Sequence, residues 1–239
     1  LATLRRLLQE TGKENSDEMT QSIELWNAIA HGKAYWNKDA PSCGIAQAIA
    51  QTIADTINEE VNVQADNPAL NLAMQSLDSD ASEIIQKMVI TGGCLCRPVF
   101  SNGRVQHELL ALGNYIPLEY DFDKTLTKCL ITKSFKEGKN NFVLVEEHEF
   151  ADGLHKIQNR LYSDDNGALK ERGIKTTRLT ENLEAEITWR NIKKPFVVEF
   201  RNPSVNTIDG SAMPVSLFAG IEKLIQEADE QFSRMTWEQ

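Results

Sequence analysis

The chain has 239 residues, 41% apolar and 25% charged, which allows one large domain or two small ones with a full core. Its net charge of −10 argues against a surface that grips nucleic acid by its phosphates, although a protein past which DNA slides is not excluded. Cys43, Cys94, Cys96 and Cys129 form no CxxC pair and no disulfide ladder, in keeping with a reducing compartment, and no run has the length and apolarity to cross a bilayer.

The N-terminal "LATLRRLLQETGKENSDEM" lacks the uninterrupted apolar core of a secretion signal. The first ninety residues read as helical. In "MTQSIELWNAIAHGKAYW", Ile23, Trp26, Ile29 and Ala30 recur at helical spacing before a break at Gly32. "PSCGIAQAIAQTIADTI" places Cys43 at what reads as the first turn of a helix. Ile45, Ile49, Ile53 and Ile57, with Ala46, Ala50 and Ala54 beside them, form one apolar stripe, with Gln47, Gln51 and Asp55 elsewhere on the surface. Asn67 and Pro68 suit the start of a short helix through Leu77, and "DASE" at Asp80 to Glu83 resembles a capping box opening a helix through Val89.

At Gly92–Gly93 the period changes from helical to alternating. "CLCRPVF", "SNGR" and "VQHELLAL" predict a hairpin, with Cys94 and Cys96 on one face of its first strand. A second hairpin is expected around Glu137 to Asn141 and a third around Asp152–Gly153. "SDDNGALKERG" reads as a polar loop, and "EAEITWRN" and "PFVVEFRNP" add two strands. The last segment is helical again: Phe218, Ile221, Ile225, Ala228, Phe232 and Met235 recur at threes and fours, a seam suited to packing on another helix of this chain or a neighbour. No C-cap follows, so the helix is expected to continue in a longer natural protein. The fold class predicted is α+β: helices over 1–90, a meandering antiparallel sheet over 91–203, and a long C-terminal helix within 204–239.

The candidates for chemistry are few. A thiol at a helix start is favoured as thiolate, so Cys43 with His107 or His148 defines one alternative, a cysteine-dependent hydrolase or transferase. Against it, a cysteine at such a place is commonly a small buried hydrophobe, and pairing around Asp152–Gly153 sets His155 near Phe150 rather than near His148. Glu146, Glu147 and Glu149 alternate about His148 and cannot all share its face. "TGGCL" lacks the spacing of a phosphate loop and reads as a helix-to-strand turn. Trp26, Tyr35 and Trp36 read as core anchors. No catalytic residue, metal site or cofactor is assigned.

The order of segments resembles the portal proteins of tailed bacteriophages, in particular those of siphoviruses and prophages of Gram-positive hosts. The resemblance runs from about Ile23 to Glu238 through "IELWNAIAHGKAYW", "VITGGCLCRPVF", "ALGNYIPLEYDFDKTLTKCLITKSF" and "VEEHEFADGLHKIQNRLYSDDN". It closes with "PFVVEFRNPSVNTIDGSAMPVSLFAGIEKLIQEADEQFSRMTWE". One departure is Val215, where the family usually has Gly before the residue at Ser216. The resemblance implies a structural, non-enzymatic head–tail connector of the virion: a homododecameric ring at one capsid vertex, assembled in the host cytoplasm. It further implies docking with the terminase large subunit, capsid and scaffold proteins and head-completion proteins, and transient non-specific passage of double-stranded DNA. A net acidic channel suits passage, since each neutralised phosphate adds affinity. The seam from Phe218 to Met235 is then the candidate subunit interface.

Overall fold

The computed structural model describes residues 16–38, 41–61, 66, 67, 71, 74, 77–101, 104–165 and 168–237. The chain is α+β, as the sequence predicts, and divides into two compact units. One holds residues 113–198; the other combines 16–112 with 199–237, so the first hairpin and the C-terminal helix belong with the N-terminal helices.

In the helical unit, α1 (Asp17–Ala30) is capped by Ser16, whose hydroxyl accepts from Met19 N, with Asp17 and Glu18 on the positive end of the dipole. Its buried face is Met19, Thr20, Ile23, Trp26 and Ile29. Gly32, at φ +63°, ends it in a Schellman arrangement, with Lys33 N–H donating to Ala28 O and Gly32 N–H to Ile29 O. A 3-10 turn (Tyr35–Asn37) follows, then α2 (Ile45–Asn58) and α3 (Ala81–Thr91). The expected helix from Asn67 to Leu77 lies mostly outside the described residues.

The apolar stripe of α2 turns inward at Ala46, Ala50 and Ala54 and is half-buried at Ile49 and Ile53, while Ile45 and Ile57 are exposed. The alanines lie deepest because α2 packs against α3, and small side chains let two backbones approach. The expected capping box is not formed. Asp80 is itself in the helical region and makes no side-chain cap, its N–H donating to Leu77 O in the turn before α3.

Strand β1 (Gly93–Ser101) pairs with β2 (Arg104–Ala111) in the predicted hairpin, and β9 (Val198–Arg201) lies on the other side of β1. Gly92 turns α3 into β1 at φ +96°, and a Cβ there would stand 2.5 Å from the carbonyl carbon of Val215. Only glycine permits this approach. The unit closes with α4 (Glu222–Trp237).

The 91–203 stretch is therefore two sheets rather than one meander. The second has the order β3 (Tyr115–Tyr120), β4 (Leu126–Glu137), β5 (Asn140–Ala151), β6 (Leu154–Asp165), β7 (Ala168–Arg172), and β8 (Glu186–Arg190) also pairs with β6. The hairpins at Gly138 and at Asp152–Gly153 fall where expected. The latter has both central residues at positive φ, the turn whose twist matches its strands. The "polar loop" contains β7, because Ala168 to Arg172 complete the ladder of β6. Both faces of this sheet carry apolar clusters: Ile116, Leu130, Val143, Val145 and Tyr162 on one, Phe142, Leu144 and Leu161 on the other.

Candidate functional site: a buried polar seam

Glu222, Gln226 and Asp229 stand four and three residues apart and so share one face of α4. Each accepts a hydrogen bond from an aromatic side chain of the N-terminal segment. Trp26 Nε1 donates to Glu222 Oε1 (2.9 Å), Tyr35 OH to Gln226 Oε1 (3.3 Å), and Trp36 Nε1 to Asp229 Oδ2 (2.9 Å). Trp26 is a core anchor with a polar handle and Trp36 is half-buried, whereas Tyr35, expected in the core, is exposed at the rim.

Asp229 is the centre of the seam, 3% exposed. Its Oδ2 also accepts from Asn37 Nδ2 (3.0 Å), and its Oδ1 accepts from Ser42 Oγ (3.0 Å) and Cys43 N (2.7 Å). Burial alone would raise its pKa. The bonds from Trp36, Cys43 and Asn37 outweigh that and hold the carboxyl below its ordinary value. A carboxylate so committed to protein donors is a clamp rather than a proton acceptor for substrate.

Two further hubs continue the pattern. Asn206 Nδ2 donates to Asp209 Oδ1 (2.8 Å) and Ser211 Oγ (3.0 Å), and Asp209 Oδ2 accepts from Ser16 Oγ (2.6 Å), tying this loop to the cap of α1. Asn202 Nδ2 donates to Met88 O (2.8 Å) and Val215 O (3.0 Å), while Ser216 Oγ donates to Val89 O (3.0 Å). Together they bind the segment entering α4 to the end of α3, where Gly92 meets Val215. With Val215 in place the chain still turns into α4, through Ala219 N–H to Ser216 O and Ile221 N–H to Phe218 O.

Cys43 does not sit in the first turn of a helix. Gly44, at φ +72°, is the N-cap and α2 starts at Ile45. Burial and then the Asp229 carboxylate push the thiol pKa up, the opposite of activation. Cys94, Cys96 and Cys129 are buried, with Cys94 pushed up to about 12 by burial. His107 lies on β2 and His148 on β5, whereas Cys43 is held against α4. His31 Nδ1 stands 2.7 Å from Asn27 O at the end of α1.

The predicted seam from Phe218 to Met235 divides. Phe218 and Ile221 precede α4; Phe218 and Ile225 are buried, and Ala228 is half-buried. Ile221, Phe232 and Met235 face outward with Leu224. The inward side of α4 is largely the polar one, because indole, amide and hydroxyl donors are waiting for it. Its signal was present in the sequence as Glu222, Gln226, Asp229 and Ser233, a polar row with the same period as the apolar one.

The histidine pair also departs from expectation. The register sets His155 opposite Phe150, as predicted, yet His148 Nδ1 lies 3.2 Å from His155 Nε2. Residues diagonal across an antiparallel pair share a face and come within reach of long side chains. Glu147 joins Lys128 and Arg160 on the opposite face, and Glu146 stays with His148.

Among the described residues no group of three or more His, Cys, Asp or Glu side chains is placed to hold a metal ion, and no helix is long and apolar enough to cross a membrane. Compared with known proteins, the chain matches no protein-family model and no curated sequence.

Proposed function

We propose that this chain is a subunit of a portal-type ring, the head–tail connector of a tailed phage or prophage, through which double-stranded DNA passes. The reading rests on the ordered resemblance, and one observation carries it. The resembling segments near the two ends supply long-range contacts of one unit: Trp26 and Trp36 bond to Glu222 and Asp229 in part-buried positions, across about 190 residues of sequence. A resemblance falling on such contacts concerns the fold, where chance surface similarity would not. The outward row of Ile221, Leu224, Phe232 and Met235 supports self-association, since large side chains on one exposed helix face gain by burial against a neighbour. The terminase large subunit, capsid, scaffold and head-completion proteins are the partners this role requires, and the virion is its place.

The test is native mass measurement with negative-stain imaging of the protein over its whole natural length. A dodecameric ring with an axial hole, weakened by Phe232→Glu with Met235→Glu, is the expected result. A strict monomer or dimer at every concentration and salt overturns the reading.

A further inference from the structure

The six-stranded unit contains a buried pair of imidazoles. On one face of the sheet His148 of β5 and His155 of β6 are 4% and 1% exposed, with Nδ1 and Nε2 of the two rings 3.2 Å apart. His155 Nδ1 accepts the backbone N–H of Phe196 (3.4 Å), and the Phe196 ring lies 4.7 Å from the His155 ring. At the other end His148 Nε2 lies 3.6 Å from Glu146 Oε2.

We propose that the His148–His155 pair is an acid-operated latch on residues 191–197, the segment by which the chain leaves the sheet unit. A neutral pair holds two protons. Phe196 N–H requires a bare Nδ1 on His155, so His155 carries its proton on Nε2 and donates it to His148 Nδ1. His148 then carries its own proton on Nε2, toward Glu146. A third proton has one place left. Whichever ring takes the charge, one proton remains shared between the rings and both outer nitrogens are protonated. His155 Nδ1–H then confronts Phe196 N–H, so the segment loses its acceptor at Phe196 and keeps Ile192 N–H to Gly153 O.

The surroundings give the cation little relief. Cys129 of β4 stands in register opposite His148, Glu146 is the acidic group of β5 on this face, and Phe150, Trp189 of β8 and Phe196 border His155. Lys156, Glu186 and Arg190 alternate onto the opposite face, and Lys193 and Lys194 of the latched segment are exposed. Burial, and then His148, depress His155 to about 4 from an ordinary 6.5. With protonation opposed by burial, the latched state is favoured above 6.5 and loses ground as pH falls below it.

The experiment is amide hydrogen exchange on the intact protein between pH 7.5 and 4, corrected for the intrinsic pH dependence of exchange. Opening at Phe196 is expected to rise as pH falls below 6.5, approaching tenfold per pH unit, the slope of a single proton, while the β5–β6 ladder stays protected. His155→Phe keeps the aromatic packing without the acceptor, and its Phe196 amide should be unprotected already at pH 7 and flat with pH. Ring nitrogen NMR of the unmodified protein should find His155 Nδ1 bare at neutral pH. A flat profile in the unmodified protein, the same slope in His155→Phe, or a proton on His155 Nδ1 at pH 7 would each overturn the proposal.

Discussion

Asp229→Asn removes one charge and almost no volume, and it isolates the contribution of the seam. In the native protein two donors converge on each oxygen of Asp229. An asparagine keeps one oxygen, so one pair of donors retains an acceptor, and the other pair faces an NH2 group. Hydrogen bonds to a charged group contribute about 1.5–3 kcal/mol each, and unsatisfied buried donors cost about 1–3 kcal/mol. Losing two such bonds therefore destabilises the helical unit by about 3–6 kcal/mol, a large part of a domain's total of about 5–15 kcal/mol. Urea unfolding followed by tryptophan emission reads this directly, because Trp36 donates to the substituted group. The pH dependence gives an independent check. Since the folded carboxyl is depressed below 3.8, its contribution is complete above that value and disappears as pH falls through the folded value. The variant should lack this part of the acid loss. A change below about 1 kcal/mol would mean that the four donors find water as readily as the carboxylate, and the seam would not be what holds α4.

Other substitutions test separate parts of the fold. Gly92→Ala places a methyl 2.5 Å from the Val215 backbone at φ +96°, and should cost more than about 3 kcal/mol by urea midpoint; a loss under about 1 kcal/mol would show that the two segments separate easily. Ala50→Leu should overpack the buried side of α2 by about 1–3 kcal/mol, whereas Ile57→Gln should stay within about 0.5 kcal/mol. The reverse ranking would mean that the exposed end of the stripe, not the alanines, carries the packing. In alkylation at neutral pH, Cys43 should react no faster than a free thiol, and Cys94, Cys96 and Cys129 should be protected until unfolding. An apparent Cys43 pKa below the ordinary value would refute its placement against Asp229.

The elements themselves were legible in the sequence because their determinants are local. Gly32 and Gly92 supply the left-handed residues that end α1 and α3, and Asp152–Gly153 supplies the turn that fixes β5 against β6. Alternation around His148 correctly separated Glu147 from Glu146. The errors share a different cause. α4 carries two rows of equal period, one polar and one apolar, and period alone does not say which row turns inward. Asp80 likewise met the pattern of a cap, but the chain before it already turns helically.

What the sequence by itself determined is the α+β class, the hairpins and their registers, since turn chemistry and side-chain alternation act over a few residues. The tertiary structure decided which faces are buried and which polar groups meet. Asp229 is a buried clamp because donors from residues 36–43 are carried to it over almost 190 positions, and His148 meets His155 because strand pleating brings diagonal neighbours onto one face. A buried charge is tolerable only where its partners are already in place, and that condition is set by the whole fold.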